Sequence, residues 1–351
     1  SAASLAILEA EVYDDPIFRR QLRDAAASLK VGPSSDPASI VTPVILEPDE
    51  KLSRALTQLD EGEEWLLEPK VSEGDPLLWS PGIKIGVKRG SWFHMNECFG
   101  PVLGLMRATD LDEAVTLQND VDYGLTAGIH SLDEEEIAQW KSKVQAGNLY
   151  INRGITGAIV QRQPFGGWKK SSIGPGAKAG GPNYVNLFRT CTDLESKSAE
   201  QVKADYQKAW DSHFNIGHDP TGLRCESNVF RYRPAHGVIL RLAEKDEHTE
   251  SLARLASEIT GTPLTVSRAG EESDEDFATR LPVLAKDNEF IRTVNGPPAD
   301  VVLQATYDAG LNWIEAPMSA SGRLELTRWT REQSVTETMH RYGNDLGGTR
   351  E

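Results

Sequence analysis

The sequence predicts an α/β protein built on parallel sheet, and two stretches carry that prediction. Between Val102 and Asn152, short apolar runs alternate with amphipathic helical segments in the order strand, helix, strand, helix, strand, the order that builds parallel sheets. The same alternation returns over residues 227–309, after a polar interruption. At 351 residues the chain exceeds the usual size of one core, so two domains are expected, the second smaller.

The elements follow in order. The opening SAASLAILEAE is small and apolar and reads as a buried segment that starts inside an element, so the chain is expected to be a fragment cut within a domain. Ile17, Phe18, Leu22, Ala25, Ala26 and Leu29 share one side of a helix over 16–30, stopped by Val31-Gly32-Pro33. A second helix over 49–59 carries Leu52, Ala55, Leu56 and Leu59. Apolar runs at 65–67, 83–87 and 102–106, bounded by Gly, Pro or charge, read as strands. Asp110 caps a helix with Leu111, Ala114, Val115 and Leu117 inside it. A strand over 123–129, a helix over 133–144 with Ile137, Trp140 and Val144 inward, and a strand over 148–152 complete this half.

Beyond Thr190 the composition turns polar and acidic, and a linker is expected at 191–203. The remaining residues offer strands at 227–233, 237–242, 263–267 and 290–294 and helices at 249–260, 277–284 and 300–309. No G-x-G-x-x-G follows any of these strands, so nucleotide binding by this part is unsupported.

Composition excludes several classes of function. A net charge of -16 argues against a nucleic-acid partner, because phosphate binding needs a basic surface. No apolar run reaches the length of a membrane span, and no signal peptide opens the chain. Cys98, Cys191 and Cys225 are odd in number and widely spaced, which suggests a reducing cytoplasm without a disulfide framework. The histidines do not cluster at ligand spacing, and no metal site is expected.

The stretch with most chemical content is 147–184, dense in glycine and free of acidic residues. Such density marks backbone that turns with φ > 0 or approaches a ligand closely. A plain flexible surface loop is the alternative. Ile151, Ile155, Ile159, Val160, Phe165, Trp168 and Tyr184 speak against it, because disordered linkers lack apolar anchors.

Four motifs in register complete the reading: Glu97-Cys98-Phe99-Gly100-Pro101-Val102, Tyr123-Gly124-Leu125-Thr126-Ala127-Gly128, Gly147-Asn148-Leu149-Tyr150-Ile151-Asn152-Arg153 and Gln163-Pro164-Phe165-Gly166-Gly167. Together they resemble the aldehyde dehydrogenases. Thr156-Gly157-Ala158-Ile159-Val160 and Lys178-Ala179-Gly180-Gly181-Pro182-Asn183-Tyr184 narrow this to the Δ1-pyrroline-5-carboxylate (glutamate semialdehyde) dehydrogenase branch, as found in the proline utilization A family. The resemblance covers residues 1–190 closely. It extends more weakly to the tail, where 313–317, 322–326, 331–336 and 340–344 are similar to the C-terminal domain of long proline utilization A proteins, a degenerate Rossmann-like copy ending in a lid motif.

The resemblance implies a fold and a chemistry. It implies the catalytic half of an aldehyde dehydrogenase fold over 1–190 with an oligomerisation flap, and a smaller α/β domain over 204–351. In the family a cysteine thiolate attacks the aldehyde, hydride passes to NAD+, and water releases the acid. The family nucleophile is followed by Ser-Ala, so Ser1-Ala2 is expected to begin one residue after it, and no catalytic residue is assigned within the chain. Glu97 matches the residue that binds the nicotinamide ribose and Phe99 the aromatic beside the nicotinamide; a solvated acid and a core aromatic are the alternatives. Cys98 is expected to be a small packed residue. Gly157 and Ala158 match backbone donors to the substrate carboxylate, Ser1 a hydroxyl donor and Phe165 the wall against the aliphatic chain; a plain turn is the alternative for the first pair. The implied activity is NAD-dependent oxidation of glutamate 5-semialdehyde to glutamate in proline catabolism, by a cytoplasmic homo-oligomer paired through a flap at 149–152 and 184–187. The chain alone is expected to be inert. A non-catalytic scaffold or lid, or a dehydrogenase for another small carboxylated aldehyde, are the alternatives.

Overall fold

The computed structural model describes residues 3–174, 176–193, 197–294, 297–341 and 344–345. It divides into two compact units, one of residues 1–122 and 132–144 and the other of 123–131 and 145–351.

The first unit holds β1 (Leu5–Glu9), α1 (Ala10–Asp14), α2 (Pro16–Ala27), α3 (Glu50–Thr57), β2 (Glu64–Leu67), β3 (Val71–Ser72), β4 (Asp75–Trp79), β5 (Gly82–Ile85), α4 (Trp92–Met95), β6 (Val102–Ala108), α5 (Leu111–Asn119) and α6 (Glu134–Lys143). Its main sheet has the order β1-β6-β5-β2, with β1, β6 and β5 parallel and β2 antiparallel to β5. β6 lies between two partners and is buried along nearly its whole length, as its unbroken apolar run demands. Gly104 admits no side chain there, because a Cβ would sit 2.6 Å from the Phe93 ring.

The helices start where acidic caps stand. Asp49 accepts from Leu52 N at 2.7 Å, Asp110 from Glu113 N at 2.8 Å and Asp133 from Glu135 N at 2.8 Å, each satisfying an orphan donor of the first turn. Leu52, Ala55 and Leu56 of α3 then pack with Phe93, Val102 and Met106. α2 departs from expectation. It ends at Ala27, has no buried residue and leaves Ile17 exposed, and only Leu22 and Ala26 pack on the Tyr13, Ile83 and Leu105 cluster; Leu29, expected on its inner side, lies beyond its end and is exposed.

The second unit begins with β7 (Tyr123–Gly124) and β8 (Thr126–Ile129) and continues with β9 (Asn148–Ile151), β10 (Trp168–Lys169), α7 (Ala199–Ala209), β11 (Glu226–Pro234), β12 (Val238–Leu242), α8 (Glu247–Thr260), β13 (Leu264–Arg268), α9 (Asp274–Leu284), β14 (Phe290–Val294), α10 (Asp300–Asp308), β15 (Asn312–Ile314), α11 (Gly322–Glu325) and β16 (Thr330–Thr338). The α/β class is borne out. The strands expected to share one sheet between 102 and 152 do not, however: β6 belongs to the first unit, whereas β8 and β9 pair parallel in the second.

Two sheets organise this unit. One has the order β13-β12-β14-β15, all parallel, with β12 and β14 buried at every position, including Arg241 and Arg292, whose guanidiniums are hydrogen-bonded. The other has the order β11-β16-β9-β8, with β16 antiparallel to β11 and parallel to β9. β9 is therefore an inner strand with both edges taken by its own chain, which corrects the expectation that 149–152 is a flap open to a second copy. Residues 184–187 form part of a single-turn 3-10 helix (Tyr184–Phe188), not a strand. α7 starts inside the stretch expected as linker, closed by reciprocal bonds between Ser198 and Gln201. Among the described residues no helix is long and apolar enough to cross a membrane.

Candidate functional site: a glycine-rich loop held on a buried polar strand

The loop after β9 is held at its neck and open at its tip. Asn152 turns with φ 55° and exchanges two hydrogen bonds with the Ser131 backbone, 3.1 and 2.8 Å. Arg153 reaches Glu226 of β11 at 2.8 Å. On the return side, buried Gln163 accepts from Ile159 N at 2.9 Å and donates to Asn228 at 2.8 Å. Between these ties lie Gly157 and Ala158, both exposed. Gly157 has φ +80° with open space around it, a conformation that favours glycine. Among the described residues neither its N–H nor that of Ala158 has a hydrogen-bond partner. Such a turn presents two donors to solvent from a fixed base, the arrangement that suits a carboxylate.

Phe165 is half-buried and pinned through its backbone, exchanging two 2.9 Å bonds with Ala179. The neighbouring Lys178 is buried, and its ammonium donates to Gly147 O (3.0 Å), Asn148 Oδ1 (2.8 Å) and Gly166 O. Burial pulls its pKa down to about 7, with Glu332 acting in the opposite direction. Gly147 lies against Gly166 and Gly167 so tightly that a Cβ would stand 2.9 Å from the Gly167 Cα. The glycines of this stretch thus serve close backbone packing as well as turns.

Sequence reasoning missed the strand behind the loop. β16 is polar, TREQSVTET, yet Glu332, Gln333, Ser334 and Thr336 are buried. Gln333 donates to Ala146 O (2.8 Å), Ser334 to Pro164 O (2.6 Å) and Thr336 to Asn228 Oδ1 (3.1 Å). These polar side chains of β16 satisfy the Ala146 and Pro164 carbonyls and the Asn228 side chain, which is why they stand where apolar residues would be expected. Alternation of buried and exposed positions along β16 is absent, so the only usable signal was its β-branched content.

The other predicted residues lie in the first unit, between α4 and β6. Glu97 and Phe99 are exposed, Phe99 at 81%, while Cys98 between them is buried with Leu52, Phe93 and Val102. Burial raises the Cys98 thiol pKa, in keeping with a packed and unreactive role. Phe99 is not a core aromatic. Ser1 lies outside the described residues. Among the described residues no group of three or more His, Cys, Asp or Glu could hold a metal ion.

Comparison with known proteins extends this picture. A solved structure of proline utilization A (PutA) from Corynebacterium freiburgense is 43% identical, superimposes with a TM-score of 0.85 and covers 98% of this chain and 36% of its own. Two relatives named 1-pyrroline-5-carboxylate dehydrogenase, from Geobacillus sp. (strain WCH70) and Bacillus subtilis (strain 168), are each 34% identical over 190 residues, which is 53% of this chain and 36% of theirs. The chain thus spans about a third of the length of these relatives. The model of the aldehyde dehydrogenase family matches residues 1–192, more than half of the chain, and the chain belongs to that family.

Proposed function

We propose that this chain supplies the substrate anchor and part of the cofactor site of an NAD-dependent oxidoreductase that converts glutamate 5-semialdehyde, from Δ1-pyrroline-5-carboxylate, to glutamate in proline catabolism. The observation that carries the proposal is the exposed turn at Gly157 and Ala158, with its two unpartnered N–H groups on a rigid neck. The names of the relatives that match residues of this half support the substrate.

In this reading residues 1–190 form the catalytic region, 191–203 the connection and 204–351 a second, aldehyde-dehydrogenase-like domain. Gly157 and Ala158 donate to the α-carboxylate, joined by the Ser1 hydroxyl, and Phe165 flanks the aliphatic chain and excludes water from it. Held at both points, the aldehyde carbon is fixed for attack, which is the positional share of catalysis. The exposed Glu97 carboxylate and Phe99 ring suit a ribose diol and the face of a nicotinamide, two groups that need an acceptor and an apolar surface. NAD, when bound, supplies the hydride acceptor. A cytoplasmic homo-oligomer belongs to the same proposal, with β9 excluded as the pairing strand.

Paired variants test these assignments in the enzyme that contains this chain. Gly157→Val forces a β-branched residue into φ +80°, a strain of about 1–3 kcal/mol, and should raise KM for the aldehyde about tenfold while leaving KM for NAD+ unchanged. Glu97→Ala should do the reverse, raising KM for NAD+ or slowing hydride transfer. Unchanged aldehyde kinetics in Gly157→Val would remove the turn from the substrate site.

A further inference from the structure

Glu332 sits on β16 opposite Tyr232 of β11, only 7% exposed, and it faces the glycine-rich loop rather than solvent. Its two carboxylate oxygens are divided between two donors of one turn. Oε2 accepts from Lys178 N at 2.7 Å, and Oε1 accepts from Asn183 Nδ2 at 2.7 Å. Its backbone carbonyl accepts from Trp168 Nε1 at 2.8 Å. One residue thereby grips the loop at 168, 178 and 183.

That grip leads directly to the proposed substrate wall. Ala179, the residue after Lys178, makes both backbone bonds to Phe165. The Lys178 ammonium holds Gly166 O, and Asn148, which Lys178 also engages, donates to Pro164 O at 3.2 Å. Asn183 is set from its other side, with Nδ2 also donating to Tyr232 OH (2.8 Å) and Oδ1 accepting from Arg323 (3.0 Å). From these contacts we infer that Glu332 is a positioning residue for substrate, setting the placement of Phe165 through the 178–183 turn. The inference rests on the reading that Phe165 lines the substrate. It adds a determinant 154 residues from Lys178 in sequence, on a strand with no place in the motifs of the family half.

The chemistry needs a carboxylate at this point. Two donors converge on it, one at each oxygen, and a carboxylate accepts at both. A glutamine of the same shape offers one acceptor and one NH2 group, so it satisfies one donor and turns a donor against the other. Glu332→Gln therefore keeps the volume of the site and removes its bonding pattern.

The test combines amide hydrogen exchange on this full chain with kinetics of the enzyme that contains it. In Glu332→Gln, peptides covering 163–183 should exchange at least about tenfold faster, while those of β12 and β14 stay unchanged, because the loss is local. KM for glutamate 5-semialdehyde should rise about tenfold, with kcat and KM for NAD+ within about twofold. Glu332→Asp, which retains both acceptor oxygens on a shorter stem, should fall between, and it replaces Glu332→Gln should that variant not fold. Arg280→Gln, which removes the exposed arginine of α9 from its pair with Glu272, should behave as wild type in these readouts. Unchanged exchange at 163–183, or uniform acceleration across the second unit with kcat lost and KM constant, overturns the inference. Failure of the substrate reading shows separately, as a wild-type enzyme with no preference for a carboxylated aldehyde.

Discussion

Arg292→Met is expected to destabilise the second unit by about 3–5 kcal/mol, the largest effect of any single substitution considered for this chain. Arg292 of β14 is 1% exposed and Glu325 of α11 is fully buried. The guanidinium donates to both Glu325 oxygens, to Ala316 O and to Pro317 O at 2.8 Å. Glu325 accepts further bonds from Ser319 N and Trp329 Nε1, each at 2.9 Å. Removing Arg292 leaves the buried Glu325 with Arg328 as its one remaining ion-pair partner among the described residues and Ala316 O without its donor, so the cost reflects the groups left behind more than the pair itself. The double variant Arg292→Met/Glu325→Leu should recover much of that loss, and a urea transition of the second unit measures both.

The pair also carries a pH dependence. Burial alone would raise the Glu325 carboxyl, but Arg292 and Arg328 outweigh it and hold the group below its usual value. A carboxyl depressed in the folded state contributes stability that is complete above its unfolded pKa of 4.5. That contribution is lost as pH falls through the folded value, so the difference between wild type and Arg292→Met should shrink as pH falls below 4.5.

Gly147→Ala is expected to be the second most damaging change, costing about 3 kcal/mol and displacing the loop that carries Phe165. The added Cβ would meet backbone, Gly166 O and the Gly167 Cα, rather than a side chain that could swing aside. Gly147 cannot retreat either. Its N–H donates to Gly124 O at 2.9 Å, and its carbonyl accepts from Ser334 N at 2.9 Å and from Lys178. The strain must fall on 164–167. Thermal unfolding should register the loss, and KM for the aldehyde should rise more than tenfold in the enzyme that contains this chain. A variant with wild-type stability and KM would mean that the close approach of Gly147 to Gly166 is not needed.

Much of the fold was legible because local signals agreed with the packing. Asp49, Asp110 and Asp133 mark helix starts that the structure keeps, and the β-branched and aromatic segments at 237–242 and 290–294 are strands as expected. Cys98, expected to be packed because it occupies the variable position of its motif, is buried. Other features depended on partners far away in the chain. β16 is buried but polar, because its side chains answer backbone groups of a loop more than 140 residues earlier; Ser334 to Pro164 O spans 170 positions. No period in the sequence reports such pairing. The inner position of β9 was hidden for the same reason, since the strand that closes its second edge is β16. α7 was the avoidable miss: Ser198-x-x-Gln201 is a capping box within the polar stretch that was read as linker.

Under the proposed function, the loop following β9 is a carboxylate anchor for an aldehyde. Its most direct test is the rate of NADH formation by the enzyme that contains this chain, with glutamate 5-semialdehyde compared against pentanal. The two share chain length, but only the first carries an α-carboxylate and an ammonium group. kcat/KM is expected to be higher by at least about a hundredfold for glutamate 5-semialdehyde, because a site built to bond a polar group rejects the analogue that lacks it. Equal kcat/KM for the two aldehydes would contradict it.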